Sequence, residues 1–247
     1  MSPLDTQLHD HLTYLKLSHL QLHWDDLLTD NLSKGHDVPQ TLHHLLGVEV
    51  REKRSRSIAR RLKLAHFPVI KTLEQYDFTW PQEINQDQIR HQFGLSFMKQ
   101  AANIILIGNT GVGKSHLAIA LGHQACQKHR RVLHTNTLEM INRLEEARRK
   151  ARLNQELKRY VNIELLILDE LGYLPIDQNG ADHLFQVISR RYERGSTIIT
   201  TNKAYQDWPG TLNNDSALTS ALLDRLLHRS ETIVIKGKSY RMKDRLE

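Results

Sequence analysis

The eight residues Gly108-Asn109-Thr110-Gly111-Val112-Gly113-Lys114-Ser115 constrain this chain more than any other feature. They fit the pattern G-x-x-x-x-G-K-[ST], with the apolar run NIILI before them and the segment HLAIALGHQA after them. A strand that feeds a glycine-rich turn opening a helix is the context in which this pattern carries meaning. Glycines let the backbone wrap an anion, and successive N–H groups together with the positive end of the following helix stabilise it. Residues 108–115, continued by His116, therefore read as a phosphate cradle. Lys114 is expected to reach the β- and γ-phosphates of ATP, and the Ser115 hydroxyl to ligate magnesium.

A second apolar run, Leu165-Leu166-Ile167-Leu168, ends in Asp169 and Glu170. In isolation two acids at a strand end fit an exposed turn. Beside a phosphate cradle, Asp169 is expected to hold the magnesium and Glu170 to orient and activate an attacking water. A third run, Ser196 to Thr201, ends in Asn202. That residue is either an ordinary turn asparagine or, if its strand lies between the other two, a side chain beside the γ-phosphate.

Short apolar runs at 104–107, 132–135, 165–168, 197–201 and 232–235 alternate with helical segments starting near Lys114, Leu138, Asp182 and Ala217. This texture predicts an α/β fold around a parallel sheet. Ahead of it, residues 3–66 read as helical. Ser2 and Pro3 supply a cap and first turn, Leu4, Leu8, Leu12 and Leu15 share a face, a second helix covers Leu20 to Leu28, and Asp37 with Pro39 starts a third that runs through Leu42, Leu45 and Leu46 to about Ala65. Phe67 to Gln100, with Pro68, Pro81 and scattered aromatics, reads as a linker packing on the next domain. The expected division is a helical domain over 1–69 and a P-loop domain over 70–247. A chain of 247 residues suffices for one α/β core and such an appendage. No run approaches the roughly 18 apolar residues of a membrane span. The N-terminus lacks an export pattern, and the single cysteine, Cys126, suits a reducing compartment, so the expected location is the cytoplasm.

The segments GNTGVGKSHLAIALG, LLILDELGYLPID, ISRRYERGSTIITTN and LLDRLLHRSETIVIKGKSYR together resemble the IstB-type transposition helper ATPases of bacterial insertion sequences, over about residues 70–245. YLKLSHLQ in the helical head is similar to that family's N-terminal domain. The family is of the AAA+ class, close to replication initiators and the helicase loader DnaC. The resemblance implies a five-stranded sheet ordered 5-1-4-3-2, ATP-dependent homo-oligomers on DNA, and a cognate transposase as partner. It makes Asn202 the polar sensor, Arg225 an arginine finger given to a neighbouring subunit, and Arg241 a second sensor. The stretch after Asn202 is too short for the helical lid of many relatives, so the lid is expected to be reduced or absent. Read from the residues alone, Arg225 sits beside Asp224 among Leu222, Leu223, Leu226 and Leu227, and fits an intrahelical or surface role equally well.

Net charge is +6 with a pI near 9.4. The first fifty residues are acidic, Lys16 and Lys34 standing against seven carboxylates, so the remainder is strongly basic. Two basic runs stand out: Arg51, Lys53, Arg54, Arg56, Arg60, Arg61 and Lys63, then Arg148, Arg149, Lys150, Arg152, Lys158 and Arg159. Such runs are solvated helix faces or phosphate-backbone contacts. With no zinc-finger spacing and no aromatic strand motif, the expectation is largely sequence-independent binding to duplex DNA through Arg51, Lys53, Arg54, Arg56, Arg60, Arg61, Arg148, Arg149, Lys150 and Arg152. Fifteen histidines are scattered without metal-ligand spacing, which leaves magnesium as the only expected metal. Three other functions use the same motif: a helicase-loading adaptor, a nucleotide kinase, and a binding protein without turnover. A kinase should show an acceptor-binding domain and an arginine-bearing lid, and loss of turnover would accompany loss of Glu170 or Asn202.

Overall fold

The computed structural model describes residues 3–242, with side chains from Thr6 onward. Ser2 and the side chain of Leu4 lie outside the described residues. The chain divides into two compact units, Met1–Arg60 and Arg61–Glu247.

The first unit is helical: α1 (Pro3–Tyr14), α2 (Ser18–Leu22), α3 (Trp24–Ser33) and the greater part of α4 (Val38–Leu64). Leu12, Leu20 and Leu45 form its core, flanked by Leu8, Leu17, Trp24 and Leu27. Leu15 falls in the turn after α1 and is exposed, so it leaves the stripe expected of it. Leu42 and Leu46 are likewise half exposed, and only Leu45 of that group is buried. The helix expected over Leu20 to Leu28 is broken at His23, which ends α2 and precedes α3. The first N–H groups of a helix lack internal partners. In α2 no local side chain caps them, and the buried Glu49 of α4 does so instead, accepting from His19 N and Leu20 N at 2.9 Å each. Arg56 and Lys53 approach the same carboxylate at 3.5 and 3.8 Å.

The second unit opens with the end of α4, then α5 (Gln86–Gln92) and α6 (Ser96–Lys99). Its division from the first lies ahead of the expected linker near residue 70. The reason is packing: Leu62, Ala65 and Phe67 belong to the core of the second unit, and the Ala65 carbonyl accepts the backbone N–H of His134 at 2.8 Å. Then follow β1 (Asn103–Gly108), α7 (Lys114–Gln127), β2 (Val132–Asn136), α8 (Thr137–Arg149), α9 (Leu153–Val161), β3 (Leu165–Leu171), α10 (Gln178–Arg191), β4 (Ser196–Thr201), the single turn α11 (Trp208–Thr211), α12 (Ser216–Leu227) and β5 (Ser230–Ile235).

The five strands form one parallel sheet ordered β2-β3-β4-β1-β5, the expected 5-1-4-3-2 order read from the other edge. Side chains alternate across a strand. Ile105, Leu166, Leu168 and Ile199 face one core, which holds Leu144, Leu157, Leu184 and Leu222 of the helices. Ile104, Leu106, Ile167 and Ile198 face the other, with Leu117 and Leu121 of α7 and the segment from Ala65 to Met98. Burial of both faces is why the strands read as unbroken apolar runs rather than alternating ones. Beyond β5 the described residues add a 3-10 turn, Tyr240–Met242.

Candidate functional site

The cradle is the loop between the end of β1 at Gly108 and the start of α7 at Lys114. Its path needs two left-handed residues, Gly111 (φ +82°) and Gly113 (φ +96°), a conformation strained for any side chain. Space enforces the same choice, because a Cβ on Gly113 would enter the ring of Tyr76 and one on Gly111 would enter Ser239. Two segments remote in sequence fix the loop. The Tyr76 hydroxyl donates to the Val112 carbonyl at 3.0 Å, and Tyr240 N–H donates to the Gly111 carbonyl at 2.9 Å. Burial, aided by Asp77, raises the Tyr76 pKa well above the ordinary phenol value, so the hydroxyl stays a donor. His116 is held by the segment before β1: its Nε2 donates to the Thr72 carbonyl at 2.8 Å, and burial lowers its pKa.

Lys114 is the charged centre of the loop. It is 4% exposed, and its ammonium donates to the carbonyls of Gly108 (2.7 Å) and Asn109 (2.8 Å) and to the Tyr173 hydroxyl (3.3 Å). An ammonium has three protons, and all three are used. None reaches a carboxylate, and no ion pair to Lys114 occurs among the described residues. A buried cation held only by neutral oxygens is costly unless an anion joins it. Directly over it opens a cavity of about 480 Å³ lined by the loop from Thr110 to His116, by Asp169, Glu170 and Tyr173, and by Tyr76, Trp80, Tyr240 and Arg241. Residues of the segment 68–81, together with Tyr240 and Arg241, thus form one wall of the cavity.

Ser115 and Asp169 meet across the site, the serine hydroxyl donating to Asp169 Oδ1 at 2.8 Å. Thr200 donates to the same oxygen, and His134 Nε2 lies 3.5 Å from Oδ2. Burial raises the Asp169 pKa, but the nearby His134 and the hydrogen bonds from Thr200 and Ser115 outweigh it and hold the carboxyl below its usual range. The next residue, Glu170, has a left-handed backbone (φ +62°) at a bulge where β3 and β4 lose register between Leu168 and Leu171. Its side chain is exposed, and Oε2 accepts from Asn136 Nδ2 at 2.7 Å. The Oδ1 of Asn136 caps α8 through Leu138 N at 2.9 Å, so one side chain joins Glu170 to the start of that helix.

The remaining candidates are dispersed. Arg241 lines the cavity. Asn202 directly follows β4, which lies between β1 and β3, and its buried Oδ1 has no hydrogen-bond partner among the described residues. Arg225 lies at the opposite end of the sheet, near Asn103 and Thr197 where β1 and β4 begin. It donates to the Ala221 carbonyl at 2.7 Å and sits 5.0 Å from the centre of the Phe185 ring.

The second basic run has acids beside it in space: helical spacing brings Glu145 within 3.1 Å of Arg148 and 3.3 Å of Arg149, and Glu146 within 2.5 Å of Lys150. Arg152, at the turn between α8 and α9, has no ion pair among the described residues. In the first run Lys53 and Arg56 serve Glu49, Arg51, Arg54 and Arg60 are exposed, and Arg61 belongs to the second unit. Sequence reasoning passed over Asn136, Thr200, Tyr173 and His134. Only the threonines inside the buried run Thr197-Ile198-Ile199-Thr200-Thr201 of β4 offered a hint, since a buried threonine in such a strand needs a partner.

A parallel five-stranded sheet in this order, with a P-loop between β1 and α7 and two acids at the end of β3, defines the P-loop core of the AAA+ class. Solved structures agree. The DnaC helicase loader superposes with a TM-score of 0.56 at 26% identity, over 67% of this chain and 96% of its own. DnaI does so with a TM-score of 0.59 at 19% identity, over 73% of this chain and 98% of its own, and shows the fold alone. The chain belongs to the family described as IstB-like ATP binding protein, whose pattern matches residues 10–247. It is 42% identical to the ATP-binding protein of insertion sequence IS21 from Pseudomonas aeruginosa, over 95% of this chain and 88% of that one. It is 36% identical to the ATP-binding protein of IS5376 from Geobacillus stearothermophilus, over 97% and 95% respectively.

Proposed function

We propose that this chain is an ATP-hydrolysing, DNA-binding helper of insertion-sequence transposition. The observation that carries the ATP part is Lys114, a buried ammonium without a carboxylate, at the floor of a cavity large enough for a nucleotide. The relatives' names, which give ATP binding and insertion sequences, support the rest. Loop N–H groups from Gly108 to Ser115 and Lys114 bind the phosphates, with the base between the segment 68–81 and Tyr240. Ser115 and Asp169 fit a divalent cation as adjacent hard oxygen donors, one of them an anion at neutral pH. When bound there, magnesium neutralises charge on the phosphate oxygens.

Glu170 takes a proton from the attacking water as the water oxygen bonds to the γ-phosphorus and the bond to the bridging oxygen breaks, leaving ADP and phosphate. To do so Glu170 must be free of Asn136. Asn202 orients the water or γ-phosphate, and Arg241 contacts phosphate from the turn after β5. Arg225 stands at the far end of its own sheet, so it serves a neighbouring subunit's γ-phosphate, which makes a homo-oligomer the active unit.

The basic residues of both runs hold the backbone of duplex DNA, and the assembly recruits or stimulates a transposase in the cytoplasm. The fold likeness to DnaC supports a second reading, a helicase-loading ATPase, distinguished by binding to a replicative helicase. The test measures ATP hydrolysis by the full chain with and without duplex DNA, together with assembly size by sedimentation. Turnover raised by DNA and accompanied by larger assemblies supports the proposal. Turnover absent in both conditions overturns it.

A further inference from the structure

We infer that Thr200 is a positioning residue that builds the backbone bulge at Glu170 and so aims the proposed water-activating carboxylate. The inference rests on the ATPase reading given above. Between the pairs Leu168↔Ile199 and Leu171↔Thr201, two residues of β3, Asp169 and Glu170, stand opposite one residue of β4, Thr200. A bulge of this kind leaves a backbone N–H without a partner in the ladder. Here the orphan is Glu170 N–H, and it donates to Thr200 Oγ1 at 2.9 Å. The same hydroxyl gives its own proton to Asp169 Oδ1. A hydroxyl has one proton and two lone pairs, so Thr200 accepts from one acid's backbone while donating to the other acid's side chain.

Thr200 is fully buried, and its bond to Asp169 is closed to water. It lies two positions after Ile198 and points, by strand alternation, to the face where α7 presents Ser115 to Asp169. Glu170 adopts a left-handed φ that a glutamate does not favour, and such strain persists only where the surroundings impose it. Thr200 supplies that imposition at the bulge itself. Without its oxygen the part-buried N–H is unpaired, and regular pairing of β3 with β4 becomes the better arrangement. Because side chains alternate along a strand, regular pairing turns the Glu170 carboxylate to the other face.

The experiment compares Thr200→Val, nearly equal in shape but lacking the oxygen, with Thr200→Ser, which keeps the oxygen and loses the methyl. ATP affinity, steady-state turnover and thermal unfolding are measured for each in the full chain. Thr200→Val should lower kcat about 100-fold, of the order lost with a general base, while its ATP dissociation constant stays within about 3-fold of the unsubstituted chain's. Thr200→Ser should restore kcat to within about 5-fold. A kcat for Thr200→Val within a few-fold of the unsubstituted chain overturns the inference, as does equal loss in the valine and serine variants. Should Thr200→Val not fold, Thr200→Ala against Thr200→Ser makes the same contrast.

If the unsubstituted chain hydrolyses no ATP, the ATPase reading fails on its own, and the crystal structure of Thr200→Val decides the positioning claim. Glu170 still left-handed and bonded to Asn136 would refute it, and regular pairing at Asp169 and Glu170 would uphold it.

Discussion

The two ends of the sheet each bury a cation, and they treat it differently. At the ends where β3 and β4 begin, Arg191 is 1% exposed and its guanidinium donates to the carbonyls of Tyr160, Val161, Ile163 and Ser196 and to Thr197 Oγ1. Desolvation lowers its pKa to about 10, still far above neutrality, so it remains charged and saturated. At the end where β1 finishes, Lys114 is buried to a similar degree but faces an open cavity, and one of its three partners is the hydroxyl of Tyr173, a part-exposed side chain of the cavity wall. Arg191 is closed by fixed backbone and ties the end of α9 to the sheet. Lys114 can exchange a partner for an anion. Burial of a charge is thus the same observation at both ends, and the nature of its partners separates structure from function.

The largest effect that would sharpen this contrast is on turnover. Glu170→Gln should lower kcat by about 10²–10⁴ while ATP still binds, as for loss of a general base. Arg225→Ala should cost turnover about 10³-fold or more. Mixing these two inactive variants should restore part of the activity, because an intact Glu170 then meets a neighbour's intact Arg225. A mixture that co-assembles on DNA and stays inactive would return Arg225 to a structural role at its own end of the sheet.

Next in size is stability. Arg191→Met removes every donor to carbonyls that stay buried, and should destabilise the fold by about 3 kcal/mol without changing ATP affinity once folded. Urea unfolding with parallel nucleotide titration measures both. A fall in ATP affinity with unchanged stability would reverse the contrast.

Replacing Arg148, Arg149 and Lys150 by alanine should reduce the slope of log affinity for duplex DNA against log salt by about 2–3. Exposed pairs with Glu145 and Glu146 hold these side chains weakly, so phosphates can take them over. A slope that does not change would assign the run to the solvated face of α8.

The smallest effect concerns pH. The folded-state pKa of Asp169 is depressed, so its contribution to stability is complete above the ordinary aspartate range near 4 and is lost only as pH falls through the lower folded value. Asp169→Asn should flatten the acid limb of the stability curve in that window and leave the neutral region's slope unchanged.

The phosphate cradle, the five strands and their order were legible because each rests on local pattern or on a resemblance tied to long motifs. β1 through β5 are apolar runs bounded by turns, and Gly111 and Gly113 announce the left-handed loop. What was not legible depends on contacts between distant segments. The bulge at Glu170 arises from Thr200, Asn136 reaches Glu170 from another strand, and Glu49 caps a helix some thirty residues before it. Charge runs misled for the same reason: a sequence displays cations in order, while helical spacing decides which of them already have acids.

Calorimetric titration of ATP into the unsubstituted chain, Lys114→Ala and Glu170→Gln tests the central claim, that Lys114 is a cation awaiting phosphate, most directly. The account predicts that Glu170→Gln binds ATP like the unsubstituted chain, whereas Lys114→Ala loses about 2–5 kcal/mol of binding, the range for truncating one partner of a buried charge pair. Equal affinities in all three proteins would contradict it.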